Sequence, residues 1–165
     1  MNIIMTGSTS FVGAATVREL LRRGHTVTAI VRPKSSKLDT ILEGNEEALL
    51  SGRLLVTEND LSEPEKLLEK VTKPQEVFCH FGWGGSGSVS RTDKALQEKN
   101  MEISLETIRT AKALGCKKFL FSGSQAEYGM HQDLITENTV CEPKSLYGEA
   151  KLAMREKGEK LCDEL

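Results

Sequence analysis

The sequence predicts an α/β fold: a doubly wound parallel sheet in three layers, with residues 1–165 forming one domain. Three observations predict it. Short apolar runs rich in β-branched residues alternate with longer segments whose apolar residues recur at helical spacing. Two of the helical segments run into a glycine, Gly24 and Gly115, at the point where a helix should stop. The opening strand, turn, helix and second strand fit into ~30 residues, the length of a right-handed βαβ crossover.

Asn2-Ile3-Ile4-Met5 is an apolar run and reads as a buried strand. Thr6 to Gly13 reads as a tight turn that enters a helix, bracketed by Gly7 and Gly13. Glycine accepts positive φ and lets backbone approach a ligand closely. The unpaired N–H groups of a helix start, with the helix dipole, suit a phosphate. Strand, glycine turn and helix together therefore read as a dinucleotide pyrophosphate site or as a plain tight turn of an α/β protein. Phe11 to Arg23 carries Val12, Ala15, Leu20 and Leu21 among Arg18, Glu19 and Arg22, and reads as the helix. His25 to Val31 reads as the second strand.

The totals exclude several classes. Net charge is −2 with 28% charged residues, which points to neither nucleic acid nor a membrane as partner. No apolar run reaches the ~18 residues of a membrane span, and Met1 leads straight into a strand, so a cytoplasmic protein without a secretory signal is expected. Cys79, Cys116, Cys141 and Cys162 show no CxxC pairing, which predicts reduced thiols. His25, His80 and His131 are scattered too, and no zinc site is expected.

The end of the second strand bears on cofactor choice. An acid there bonds the ribose hydroxyls of NAD, whereas arginine accommodates the 2′-phosphate of NADP. The sequence reads Val31-Arg32-Pro33-Lys34-Ser35-Ser36, with no acid before Asp39. Arg32 suits a phosphate as a bidentate donor, with Lys34 and the serines beside it. This favours NADP(H); the alternative is a solvated basic loop.

Lys37 to Leu50 reads as a second helix interrupted at Gly44-Asn45, and Arg53 to Thr57 as a third strand. Ser62-Glu63-Pro64-Glu65 has the form of a capping box with proline in the first turn of a helix reaching about Val71. Glu76 to Phe81 reads as a fourth strand, in which His80 fits a satisfied core histidine. Gly82 to Ser88 carries four glycines in seven residues and predicts a mobile loop. Trp83 within it either flanks a substrate or anchors the loop. Arg91 to Leu114 reads as a long helix with Met101, Leu105, Ile108 and Ala111 on one face. Lys117 to Ser124 reads as a fifth strand that ends in small hydroxyl residues. Tyr147-Gly148-Glu149-Ala150-Lys151 is a YxxxK on a final helix, 146–162. Residues i and i+4 share a helix face, so Lys151 lies on the side of Tyr147.

Three of these segments carry a resemblance. Thr6 to Gly13 resembles the TGxxGFxG fingerprint of the extended short-chain dehydrogenase/reductases, the NAD-dependent epimerase/dehydratase group, with Ser10 in place of the middle glycine. Ser122 to Gly129 resembles the family's SSSxxVYG segment, with Gly123 and Glu127 as departures, and Tyr147 to Lys151 its YxxxK. The resemblance implies a Rossmann-type domain that binds NAD(P) through Gly7, Ser10, Phe11, Val12, Gly13 and Arg32. It places Asp60 and Leu61 at the adenine, and Phe81, Gly82 and Trp83 beside the nicotinamide-side ribose and the substrate mouth. It implies catalysis by Ser124, Tyr147 and Lys151, with Asn100 helping to hold Lys151 through water. Tyr128 and Gly129 fit a structural turn or a substrate-side residue better than the base.

The chemistry implied is hydride transfer between C4 of the nicotinamide and a carbinol carbon. A phenol has a pKa of about 10 in water; a neighbouring ammonium and a positive nicotinamide ring stabilise the phenolate and make a general acid/base of Tyr147. Lys151 would also bind the nicotinamide ribose, and Ser124 the substrate oxygen. The expected substrate is a nucleotide-activated sugar. An NADPH-dependent carbonyl reductase of the dihydroflavonol type, suggested by Val31-Arg32-Pro33, and a catalytically inactive NADP-binding regulator are the alternatives. Family members are roughly twice this length. The resemblance therefore implies an N-terminal part whose C-terminal substrate domain is absent, as a fragment or a truncated product. It also implies a homodimer through helices 91–114 and 146–162.

Overall fold

The computed structural model describes residues 1–85 and 87–165; Ser86, at the centre of the glycine-rich stretch, lies outside the described residues. The five strands are β1 (Asn2–Thr6), β2 (Thr26–Val31), β3 (Leu54–Glu58), β4 (Val77–His80) and β5 (Lys118–Phe121). All pair in parallel, in the order β3-β2-β1-β4-β5. The helices are α1 (Phe11–Arg22), α2 (Asp39–Leu42), α3 (Glu46–Leu50), α4 (Leu67–Lys70), α5 (Lys94–Ala113) and α6 (Leu146–Glu164). The chain divides into two compact units, one made of Met1–Gly82 with Arg109–Phe121 and the other of Trp83–Ile108 with Ser122–Leu165.

The first unit is the sheet and the helices on it. Successive residues of β1 point to opposite faces, and each face has its own core. Ile3 and Met5 pack with Ala14, Val17 and Leu21 of α1, with Ile41 and Ala48 of α2 and α3, and with Val27, Ala29 and Val31 of β2. Ile4 packs on the other side with Ile30, Leu67, Val71, Phe78 and Ala111. Burial on both faces explains why the strands read as continuous apolar runs rather than alternating ones. Each fully buried Ile, Leu or Phe contributes about 1.5–3 kcal/mol. His80 is such a core residue: it is fully buried, its Nδ1 lies 2.9 Å from Thr6 Oγ1, and its ring stacks against Phe119 and Phe121.

Two expectations for this unit need correction. The segment 37–50 is not one interrupted helix but two short ones, because Gly44 turns the chain at φ +75°. The capping box at Ser62 does not form. Ser62 donates instead to the Asp60 carboxylate at 2.6 Å, and a 3₁₀ turn at Pro64–Lys66 precedes the single α-turn of α4.

The second unit is built on α5 and α6. The expected helix 91–114 begins at Lys94, after a 3₁₀ turn at Ser90–Thr92. Ile108 and Ala111 are buried as expected, but Met101 and Leu105 are only half-buried. The side of α5 turned inward carries Gln97, Asn100, Ser104 and Thr107, all 4% exposed or less. Counting apolar residues alone misplaced that face. Helix α6 meets Ile108 through Met154 and Gly158, where an added Cβ would lie 3.1 Å from Met154 and 3.2 Å from Ile108. Among the described residues no helix is long and apolar enough to cross a membrane.

Candidate functional site

The expected site residues fall into two groups, one in each unit. In the first, the turn after β1 is set by Gly7 at φ +69°. A Cβ there would lie 2.7–2.8 Å from the Phe81 and Gly82 backbone. A Cβ on Gly13 would strike the Gly7 carbonyl oxygen. The two glycines therefore let α1 start against the end of β1. Ser10 is the N-cap of α1, and its hydroxyl oxygen accepts the Gly13 N–H at 3.0 Å. That hydroxyl retains its own hydrogen to donate. The N–H groups of Phe11 and Val12 stand in the first turn, where no earlier helical carbonyl can take them. Their side chains are 94% and 59% exposed. A backbone cradle closed to any side chain, with donors at a helix N-terminus, fits a dinucleotide pyrophosphate.

The rest of this group surrounds the strand ends. Thr6 Oγ1 accepts the Gly82 N–H at 3.2 Å, and a Cβ on Gly82 would press on Leu61 Cδ1 at 2.8 Å. Gly82 thus lets Leu61 close on the end of β4. The Asp60 carboxylate accepts the N–H and hydroxyl of Ser62 at 2.9 and 2.6 Å. Arg32 is exposed just past β2. The structure adds an acid that the chain order hid: Glu58 ends β3 in register with Val31, and its carboxylate accepts the Lys34 N–H at 3.3 Å. Ser8 was also missed. It is fully buried and donates to the Met5 carbonyl at 2.7 Å.

The second group centres on α6. Ser145 caps the helix by accepting the Gly148 N–H at 3.1 Å. Tyr147 and Lys151 follow on one face, 8% and 2% exposed. Gly148 between them lies so close to the turn Gln125–Glu127 that a Cβ would strike the Ala126 carbonyl. The N-cap of that turn is Ser124, whose hydroxyl oxygen accepts the Ala126 N–H at 3.2 Å. The helix bearing Tyr147 and Lys151 is thereby held directly to the turn that starts at Ser124. The Lys151 ammonium donates to the Ser122 carbonyl at 3.0 Å and stands 4.0 Å from the centre of the Trp83 ring. Burial pushes the Lys151 ammonium down from 10.5 to about 8, against the opposing pull of the Glu127 carboxylate.

Trp83 anchors the loop and also walls the tyrosine and lysine. Its indole N–H donates to Gln97 Oε1 at 2.9 Å, and its ring meets Tyr147 edge-on at 6.3 Å. Asn100 is buried, not a surface amide. Its oxygen accepts the Gly84 N–H at 3.0 Å and its nitrogen donates to the Gly84 carbonyl at 2.8 Å. Both ends of the amide that the resemblance assigns to Lys151 are engaged by the backbone of one loop residue, Gly84. Two neighbours were missed by the sequence reading. Arg91 lies 4.7 Å over the Tyr147 ring. Glu127, 2% exposed, accepts the Ser124 N–H at 2.6 Å. Ser124-Gln125-Ala126-Glu127 is an S-x-x-E capping box, and that spacing could have flagged it.

Comparison with known proteins gives the family. The dTDP-6-deoxy-L-talose 4-dehydrogenase (NAD(+)) of Aggregatibacter actinomycetemcomitans is 31% identical over 156 residues, 94% of this chain and 53% of that protein. The D-erythronate dehydrogenase of Cupriavidus necator is 29% identical over 92% of this chain and 47% of its own length. The crystal structure of the Thermotoga maritima UDP-glucose 4-epimerase with UDP-glucose superposes with a TM-score of 0.80 at 25% identity, over 99% of this chain and 52% of that one. The chain thus spans about half the length of the curated relatives it matches. The family model for the NAD dependent epimerase/dehydratase family matches residues 3–164, and the chain belongs to that family.

Proposed function

We propose that residues 1–165 are the NAD(P)-binding part of an oxidoreductase of epimerase/dehydratase type acting on a nucleotide-activated sugar. Ser124, Tyr147 and Lys151 carry its chemistry. The observation that carries the reading is the joint burial of Tyr147 and Lys151 on one face of α6, held against the turn of Ser124. A nicotinamide dinucleotide, when bound, supplies the hydride donor or acceptor. The residues do the rest. Ser124 has a hydroxyl hydrogen to donate to the substrate oxygen, which orients the carbinol. Tyr147 moves the hydroxyl proton. Lys151, a buried ammonium on the same face, has N–H donors for ribose hydroxyls. Gly7, Gly13 and the N–H groups of Phe11 and Val12 would hold the pyrophosphate, with Ser10 as an added donor; Asp60 and Leu61 would lie at the adenine, and Phe81, Gly82 and Trp83 at the nicotinamide ribose. The sugar class is supported by the names of two relatives, which act on or bind dTDP- and UDP-sugars.

Within this reading NADP(H) is preferred over NAD(H). Arg32 is exposed just past β2, and the Glu58 carboxylate accepts the Lys34 N–H. Titration of the chain with NADPH and NADH, followed by nicotinamide fluorescence, checks this: tighter NADH binding rejects it, and R32A should weaken NADPH alone. Replacement of Tyr147 by phenylalanine should abolish turnover and spare cofactor binding; retained turnover rejects the catalytic assignment. The exposed Arg32 also favours a second reading, an NADPH-dependent carbonyl reductase. Cofactor that stays bound through purification supports an epimerase, and cofactor that exchanges freely supports the reductase. A homodimer through α5 and α6 belongs to the same proposal, and sedimentation velocity tests it.

A further inference from the structure

Glu127 is a buried acid that the proposed chemistry does not use. Taking a carboxylate out of water is costly, so its partners define its role. One oxygen accepts the Ser124 N–H at 2.6 Å. The other lies 3.7 Å from the Arg155 guanidinium, which donates to the Cys141 sulfur at 3.2 Å. A Cβ on Gly123 would lie 3.0 Å from the same oxygen that Ser124 engages. The carboxylate is therefore seated directly behind Ser122–Ser124. The first of those residues takes the Lys151 ammonium on its carbonyl, and the last carries the hydroxyl assigned to the substrate. Gly123 and Glu127, the two departures from the resembling segment, form one device: the glycine leaves the space and the carboxylate fills it.

We propose that Glu127 is a positioning residue: its carboxylate fixes the Ser124 backbone and supplies the buried counter-charge that keeps Lys151 a cation beside Tyr147. This rests on the functional reading above for the roles of Ser124 and Lys151. Of the other ionisable groups here, Tyr147 lies with its ring centre 5.9 Å from the ammonium, Arg91 lies over that ring from the 3₁₀ turn at Ser90–Thr92, and Arg155 lies beside Glu127. Glu127 attracts the ammonium. Burial works against the charged lysine and the Glu127 carboxylate works for it. Without that carboxylate, Lys151 should lose its proton within the neutral range.

The test needs neither cofactor nor turnover, so its failure is distinct from a failure of the proposed function. The Lys151 side-chain methylene resonance of the whole chain is followed by NMR from pH 6 to 11, together with the Ser124 amide proton. In the wild-type chain the lysine should titrate near pH 8, and the Ser124 amide should lie far downfield, as a short bond to a carboxylate requires. E127Q keeps an acceptor oxygen and removes the charge. It should lower the lysine midpoint by about one unit and move the Ser124 amide upfield. E127D keeps the charge and should leave the midpoint closer to the wild-type value than E127Q does. An unchanged midpoint in E127Q, or E127D and E127Q moving it equally, overturns the proposal. If E127Q does not fold, the wild-type Ser124 amide decides, and an ordinary amide shift overturns it.

Discussion

Replacing Lys151 with methionine should stabilise the protein at neutral pH while removing a proposed catalytic group. Lys151 is 2% exposed, and its ammonium is held down from 10.5 to about 8 chiefly by burial. That displacement, at about 1.36 kcal/mol per unit, amounts to roughly 3 kcal/mol against the folded state wherever the lysine is charged in both states. Methionine removes this penalty. It also removes the bond to the Ser122 carbonyl and the contact with the Trp83 ring, worth about 1–2 kcal/mol together. The balance is about 1–2 kcal/mol in favour of methionine at pH 7. The pH dependence has a definite sign. Below pH 8 folded and unfolded chains both carry the proton, and the penalty is complete. Between pH 8 and 10.5 the unfolded chain binds more protons than the folded one, so the wild type gains stability as pH rises. The advantage of the variant should therefore shrink by about 2 kcal/mol between pH 7 and pH 9.5. Urea unfolding followed by circular dichroism at the two pH values measures both quantities. A variant less stable than the wild type at pH 7, or a gap that does not change with pH, would show that Lys151 is a hydrated cation and refute the argument.

Three further outcomes are expected. G148A should cost about 1–3 kcal/mol, because its Cβ meets the backbone of Ala126, whereas G158A, facing only the flexible ends of Met154 and Ile108, should be within about 1 kcal/mol of the wild type; urea midpoints of equal size would contradict the difference. G7A combines a positive φ with overlap on the Phe81 and Gly82 backbone and should lose about 2–4 kcal/mol, together with dinucleotide binding, which calorimetry would measure. In thiol labelling at pH 8, Cys116, pushed up to about 11 by burial and by Cys79, and the buried Cys79 should react far more slowly than the exposed Cys162; Cys116 labelled first would be the contrary result.

The strands, most helices and the YxxxK face were legible because each depends on residues close in the chain. Ile3, Ile4 and Met5 are apolar in succession whatever lies around them, and Tyr147 and Lys151 share a helix face by periodicity alone. Local signals failed where the side chain found another partner, near in the chain or distant. Ser62 has the form of a cap, yet its hydroxyl goes to Asp60. Asn100 is buried and holds both the N–H and the carbonyl of Gly84.

What the amino-acid sequence by itself determined is the alternation of elements, the parallel α/β class and the residue types at the opening turn and at Ser124, Tyr147 and Lys151. Only the tertiary structure decided how those residues are supported. It set Glu58 beside Val31 across two strands, laid Trp83 against Lys151, and brought Arg155 to Glu127. The physical reason is that hydrogen bonds, ring faces and buried charges act over a few ångströms of space, and no spacing along the chain encodes which distant residues will come that close.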